Sequence, residues 1–335
     1  MQHPAIDSNF GNFKNLVSIR FIHISDSHLE LPSRDADKSP LLSENCSDSV
    51  SSNIINPGFA LVTEKIKSLV NEGLVLDFII HTGDVCNSDD SPGATQITAQ
   101  LASDLLGQCG VDYIWMNGNH DRLDHIVPYR CSSQNLVINS ISEKASGSFS
   151  CTYQGTTLLF LDARPRYTLP PSMDSAGNES QTSSELTQQP EIHEWDGRHP
   201  HDPEGYLDPE ELDVVRKLIA DAPEQVVVFT HYPPVKLDCP WVDKNMCISN
   251  GSLLHEILKQ YQDKVNGVFF GHVHHSQQRL YDGVLYVATG AVAHEFDTSS
   301  HLTEARVSGN NVHHLNYVHI NVGNIFIKQY SLSVI

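Results

Sequence analysis

The most constraining feature of this 335-residue chain is a repeated juxtaposition: short runs of Val, Ile, Leu, Phe and Tyr that break off at carboxylate, imidazole and amide side chains. The runs fall at 17–24, 75–82, 111–116, 157–161, 225–230, 266–270 and 284–289. Their length and unbroken apolar character fit strands buried on both faces. Five of them are followed at once by polar clusters: Ser25-Asp26-Ser27-His28, Gly83-Asp84, Asn117-Gly118-Asn119-His120-Asp121, His231, and Gly271-His272-Val273-His274. In α/β sheets ligands sit at the carboxyl ends of strands, so these groups are expected to converge.

Helical periodicity separates several of the runs. Over 57–72, Phe59, Val62, Ile66, Leu69 and Val70 share a face, Asn56 and Pro57 supply the cap and first turn, and Gly73 ends the segment. Over 209–220, Asp208 is the expected cap and Leu212, Val215, Leu218 and Ile219 face inward. A third helix is expected over 251–262 on Leu253, Leu254, Ile257, Leu258 and Tyr261. Alternating strands and helices imply an α/β architecture. Residues 1–335 read as one domain, with surface loops at 32–53 and, as an insertion, at 164–205, and with C-terminal strands near 302–330.

Charge narrows the partners. The chain has 21 Lys+Arg against 41 Asp+Glu, a formal −20, which disfavours duplex nucleic acid and anionic membrane surfaces. Nowhere do ~18 apolar residues run together, and no basic stretch leads into an apolar one near residue 1, so a cytoplasmic protein without a membrane partner is expected. Seven Cys without a CxxC pair indicate neither a disulfide framework nor a zinc ribbon.

The strand-end groups have a common chemistry. Asp26, His28, Asp84, Asn119, His231, His272 and His274 are oxygen and imidazole donors with no thiolate among them, which suits Mn, Fe, Co or Zn in catalytic use better than structural zinc. These seven are too many for one ion and suit two, sharing a bridging carboxylate and a bridging hydroxide at a separation of ~3.5–4 Å. Any one such histidine alone is an ordinary strand-end residue; their joint, ordered occurrence carries the assignment. His23 and His81, inside strands, read as packed or hydrogen-bonded.

In this order, D-x-H, G-D, G-N-H-D, H and G-H-x-H resemble the motif blocks of the calcineurin-like metallophosphoesterase superfamily, over about residues 18–300. Within that span His231-Tyr232-Pro233-Pro234, Cys239-Pro240-Trp241-Val242-Asp243 and Asn250 are similar to class III cyclic-nucleotide phosphodiesterases. The resemblance implies a four-layer α/β/β/α sandwich of two mixed sheets. It implies that Asp26, His28 and His274 hold one divalent or trivalent ion, that Asn119, His231 and His272 hold the other, and that Asp84 bridges them. Fe/Mn and Mn/Mn are the expected pairs, with Zn or Co as alternatives. His120 takes a catalytic role facing the phosphate, as general acid or charge stabiliser. Asp121 then either orients that imidazole or serves a turn. Trp241 and His294 are the candidate substrate-binding residues.

The expected activity is hydrolysis of a small phosphodiester, 3′,5′-cyclic AMP first, by attack of a metal-bridging hydroxide. Glycerophosphodiester or broad phosphomonoester hydrolysis is the alternative; a non-catalytic metal-binding interaction module is the reading from a different class. Val85-Cys86-Asn87 after Asp84 lacks the D-R-G of the superfamily's protein Ser/Thr phosphatases, and GNHD stands in place of their GNHE, which turns the expectation away from phosphoproteins. The frequent oligomerisation of related enzymes suggests a homodimer.

Overall fold

Alternation within the first apolar run sets up the layers. In β1 (Ser18–Ile24), Ile19 and Phe21 join a cluster lying between two sheets, while Ile22 and Ile24 join one beneath helices on the opposite face. The computed structural model describes residues 18–29, 56–87, 92–121, 127–141, 147–164, 204–297, 307–308, 311–321 and 324–333. The remaining strands are β2 (Phe78–His81), β3 (Tyr113–Trp115), β4 (Asn139–Ser140), β5 (Phe149–Tyr153), β6 (Thr156–Leu161), β7 (Gln225–Thr230), β8 (Val265–Phe270), β9 (Gln277–Tyr281), β10 (Val284–Ala288), β11 (Val312–Asn321) and β12 (Asn324–Ser333). The α-helices are α1 (Pro57–Asn71), α2 (Pro92–Gly107), α3 (Pro209–Asp221), α4 (Pro240–Asn245) and α5 (Gly251–Gln260).

One sheet has five strands in the order β12-β11-β1-β2-β3, the other seven in the order β4-β5-β6-β7-β8-β10-β9. Both are mixed. β1, β2 and β3 run parallel, as do β6, β7, β8 and β10, whereas β11, β12, β4, β5 and β9 pair antiparallel. The sheets face each other across an aromatic layer in which the rings of Phe21, Phe229 and Phe269 meet at 5.2–5.7 Å and Phe160 stacks on Phe229 at 4.7 Å. All four are fully buried, each worth about 1.5–3 kcal/mol against exposure.

Helices close the outer faces. Phe59, Val62 and Ile66 of α1 and Ala99, Ala102 and Leu106 of α2 cover Ile22, Ile24, Ile79 and Trp115. Leu212, Val215 and Ile219 of α3 and Leu254, Ile257 and Leu258 of α5 cover Val226, Val228 and Val268. The result is the expected α/β/β/α sandwich. The expected caps are present: the Asn56 side chain accepts from the Gly58 amide at 2.9 Å and Asp208 from the Glu210 amide at 3.0 Å. β11 and β12 return to the first sheet beside β1. The 32–53 loop and nearly all of the 164–205 insertion lie outside the described residues. Among the described residues, no helix is long and apolar enough to cross a membrane.

Candidate metal centre

Parallel pairing places the carboxyl ends of β1, β2 and β3 on one edge of the first sheet and those of β7 and β8 on one edge of the second. Within the sheets, the amides of Asp26 and His28 donate to the carbonyls of Gly83 and Asp84 at 3.0 Å, and the Gly271 amide to the His231 carbonyl at 3.1 Å. Across the seam, His231 Nδ1 donates to the Thr82 carbonyl at 2.8 Å and the His272 amide to the Asp26 carboxylate at 2.9 Å. The two edges thus meet as one site.

The backbone there is unusual. Asp26 (φ 56°), His28 (43°), Asp84 (53°), His272 (68°) and His274 (50°) all adopt the left-handed region, five of the eight non-glycine residues that do so among the described residues. Such conformations cost of order 1–3 kcal/mol each and persist where surrounding structure enforces them, typically at functional sites. They turn successive side chains off each strand end into the same space. Gly118 makes this possible: a Cβ there would strike the side chain and amide of Asp84. Gly118→Ala is therefore expected to preserve far-UV circular dichroism while lowering metal content by elemental analysis; an unchanged metal content would show that the contact is slack.

The side-chain tips form three sets of donors within 4.8 Å of one another: Asp26, His28 and His274; His28, Asp84 and His120; Asp84, His231 and His272. His274 Nδ1 donates to the His294 carbonyl at 2.8 Å, so in the neutral ring Nε2 carries a lone pair; it lies 3.1 Å from His28 Nε2 and 3.4 Å from an Asp26 oxygen. His231, with Nδ1 committed to Thr82, likewise points Nε2 at Asn119 Oδ1 (3.0 Å) and Asp84 Oδ2 (3.3 Å). Lone pairs aimed at lone pairs repel unless a cation lies among them. The donor set fits two metal ions, with His231 and His274 each oriented by the other ring nitrogen, as metal-ligating histidines generally are.

Charge follows the same geometry. Burial opposes the Asp84 charge, but His231, with His120 and His28 behind it, outweighs burial and holds the carboxyl well below its usual range. Reciprocally, burial opposes protonation of His231, yet the nearby Asp84 and Asp26 raise it to about 9. Asp26 is also held low, against burial, by His274 and His231. Burial pushes His28 down to about 3.

The other expected residues are placed as follows. His120 lies half-buried with its ring 4.9 Å from that of His28, edge to face, and its amide donates to Asp84 Oδ1 at 2.8 Å. Asp121 serves the turn: its carboxylate accepts from the amides of Gly118 (2.9 Å), Cys86 (3.0 Å) and Val85 (3.2 Å), bracing the Asp84 loop against the Asn119 loop. Burial and then Asp84 raise its pKa to about 7 against these bonds. His294 supplies the carbonyl that orients His274, and its ring lies 4.6 Å from the His274 ring. Trp241, on α4, packs partly buried on the helix-side core of the seven-stranded sheet. Sequence reasoning passed over a sixth strand end: after β6, Arg164 binds both oxygens of buried Asp162 and donates through Nη1 to the Asp121 carbonyl at 2.8 Å. Asp162, directly after the 157–161 run, was the signal for it.

The calcineurin-like phosphoesterase family matches residues 19–276. A 3′,5′-cyclic-nucleotide phosphodiesterase of Nostoc sp. (strain PCC 7120 / SAG 25.82 / UTEX 2576) is 27% identical over 97 residues, covering 29% of this chain and 36% of that protein. A "Probable cyclic nucleotide phosphodiesterase" of Pseudoalteromonas sp. (strain SM9913) is 23% identical over 224 residues, covering 67% of this chain and 66% of that one. The chain thus spans 36% and 66% of the lengths of these two relatives. In fold alone, it is similar to GAP50, the anchor in the inner membrane complex of Plasmodium, with a TM-score of 0.51 at 10% identity over 95% of this chain and 88% of that one. With two sheet edges delivering a metal-donor set and the family match running through most of the chain, this protein belongs to the calcineurin-like phosphoesterases, a family that works with a dinuclear metal centre.

Proposed function

We propose that the chain hydrolyses small phosphodiesters, 3′,5′-cyclic AMP first among them, with Asp26, His28 and His274 holding one ion, Asn119, His231 and His272 the other, and Asp84 bridging. The observation that carries this is the convergence of acceptor atoms: His28 Nε2, His274 Nε2 and Asp26 on one side, His231 Nε2 and Asn119 Oδ1 on the other, with Asp84 Oδ2 3.3 Å from His231 and 3.6 Å from His28. Bound there, an Fe/Mn or Mn/Mn pair, or Zn or Co, supplies Lewis-acid stabilisation of phosphoryl charge and an acidified water. His120, beside Asp84 and His28, carries a proton to the leaving oxygen. His294, against His274, lines the substrate space.

The preference for a diester rests on charge. A phosphomonoester dianion calls for cationic side chains beyond the metal ligands. Arg122 lies outside the described residues; among those described, Arg164 reaches the Asp121 loop but spends its guanidinium on Asp162 and a carbonyl. Arg279 spends its own on the Lys236 carbonyl and Asp238. The names of the two bacterial relatives support a cyclic nucleotide as the diester. With metal loading held equal, bis-p-nitrophenyl phosphate is expected to turn over faster than p-nitrophenyl phosphate, and cyclic AMP to be hydrolysed in the same panel. A tenfold preference for the monoester overturns the reading.

A further inference from the structure

We infer that His81 is a positioning residue for the metal-holding loops, acting through Ser27; the inference rests on the metal assignment proposed above. His81 ends β2 and is fully buried. Both of its ring nitrogens have assigned roles. The Gly83 amide donates to Nδ1 at 3.2 Å, so in the neutral ring the proton sits on Nε2. Nε2–H donates to Ser27 Oγ at 2.8 Å, and the Ser27 hydroxyl passes its own proton to the Val85 carbonyl at 3.2 Å. Each bond fixes the direction of the next, so the run from Gly83 through His81 and Ser27 to Val85 has one orientation.

The ends of this run bracket Asp84, and Ser27 within it lies between Asp26 and His28. Those three ligands sit in left-handed turns, and Gly83 has φ 107°. Main-chain bonds from Asp26 to Gly83, His28 to Asp84 and Leu29 to Val85 set the spacing of the two loops. They leave the Gly83 amide and the Ser27 hydroxyl to a side chain from beneath. Only a group that accepts at one end and donates at the other satisfies both, which an imidazole does and an apolar core residue does not. The same space could be filled by a hydrophobe if packing were the whole requirement.

The test compares Ser27→Ala, His81→Asn and the double variant in the full chain, reading Mn affinity by chelator competition together with thermal stability and steady-state kinetics. Asparagine places Oδ1 where Nδ1 stands and keeps the Gly83 bond, but falls short of Ser27. Each single change is expected to weaken Mn binding by ~10–100-fold, as loss of outer partners of a metal site does. The double variant should be no worse than the poorer single one, because both changes cut one link. Rescue comes from His81→Gln, whose Nε2 reaches toward Ser27 and should recover part of the affinity. Unchanged affinity in the single variants, a fall in melting temperature with affinity intact, or multiplying losses in the double variant overturns the proposal. If His81→Asn does not fold, Ser27→Ala decides alone. Asp84→Ala in the same assay separates the two layers: if it too keeps full Mn affinity, the metal assignment itself fails.

Discussion

Asp84→Ala is expected to give a folded chain that holds fewer than two ions and loses at least ~10²–10³ in kcat, the range for deleting a charge-stabilising group in a water-poor site. The side chain links both halves of the donor set: Oδ1 accepts from the His120 amide at 2.8 Å, while Oδ2 lies 3.3 Å from His231 and 3.6 Å from His28. Removing it leaves the two imidazole groups without the shared oxygen between them and frees the His120 turn. Asp84→Asn separates these effects, because its amide oxygen can still accept from His120 while the charge is gone. Elemental analysis and turnover on bis-p-nitrophenyl phosphate in metal-defined buffer check both variants. Near-normal turnover of the alanine variant would sink the binuclear reading.

His120→Ala should behave differently. Its side chain meets the His28 ring edge to face at 4.9 Å, but the bond that ties the loop to Asp84 comes from its backbone, which alanine retains. Metal content should therefore stay near wild type while kcat falls by ~10²–10⁴, the range for a positioned acid. The loss should be smaller for p-nitrophenolate, a weakly basic leaving group, than for the alkoxide of a cyclic nucleotide. Equal losses on both substrates would make His120 a stabiliser of phosphoryl charge. Loss of metal would make it a ligand, as the close grouping of His28, Asp84 and His120 allows geometrically.

Much of the fold was legible because burial on both faces writes itself as unbroken apolar runs, and because Asn56-Pro57 and Asp208-Pro209 mark helix starts chemically. The expected helix ends lie within about two residues of the observed ones. α2 was not legible: its buried face is made of Ala99, Ala102 and Leu106, small side chains that bring the helix close to the sheet but leave little periodic signal. The β5–β6 and β9–β10 hairpins were overlooked although Gln154-Gly155 and Asp282-Gly283 take the paired positive φ angles of tight turns (47° and 85°, 46° and 83°). At the site, the donor types could be read from the strand ends. The left-handed backbone of Asp26, His28, Asp84, His272 and His274 could not, because none of these is glycine and the conformation is imposed by tertiary bonds. The bonds from the Val85 and Cys86 amides to Asp121, from His81 to Ser27 and from Arg164 to the Asp121 carbonyl were hidden for a related reason: each joins groups distant in sequence.

The seam between the sheets has a wider consequence. Asp26, His28 and Asn119 ride on the five-stranded sheet and His231, His272 and His274 on the seven-stranded one, so each proposed ion site is a caliper closed across the sandwich. Metal–ligand distances tolerate only about ±0.2 Å. A repacking of Phe21, Phe160, Phe229 or Phe269 that slid one sheet over the other by half that much again would open both calipers together. A substitution deep in the aromatic layer, remote from every polar motif, would then register as an impaired metalloenzyme before it registered as an unstable one, and the tightness of that layer sets how sharply the chain can discriminate between ions of different radius.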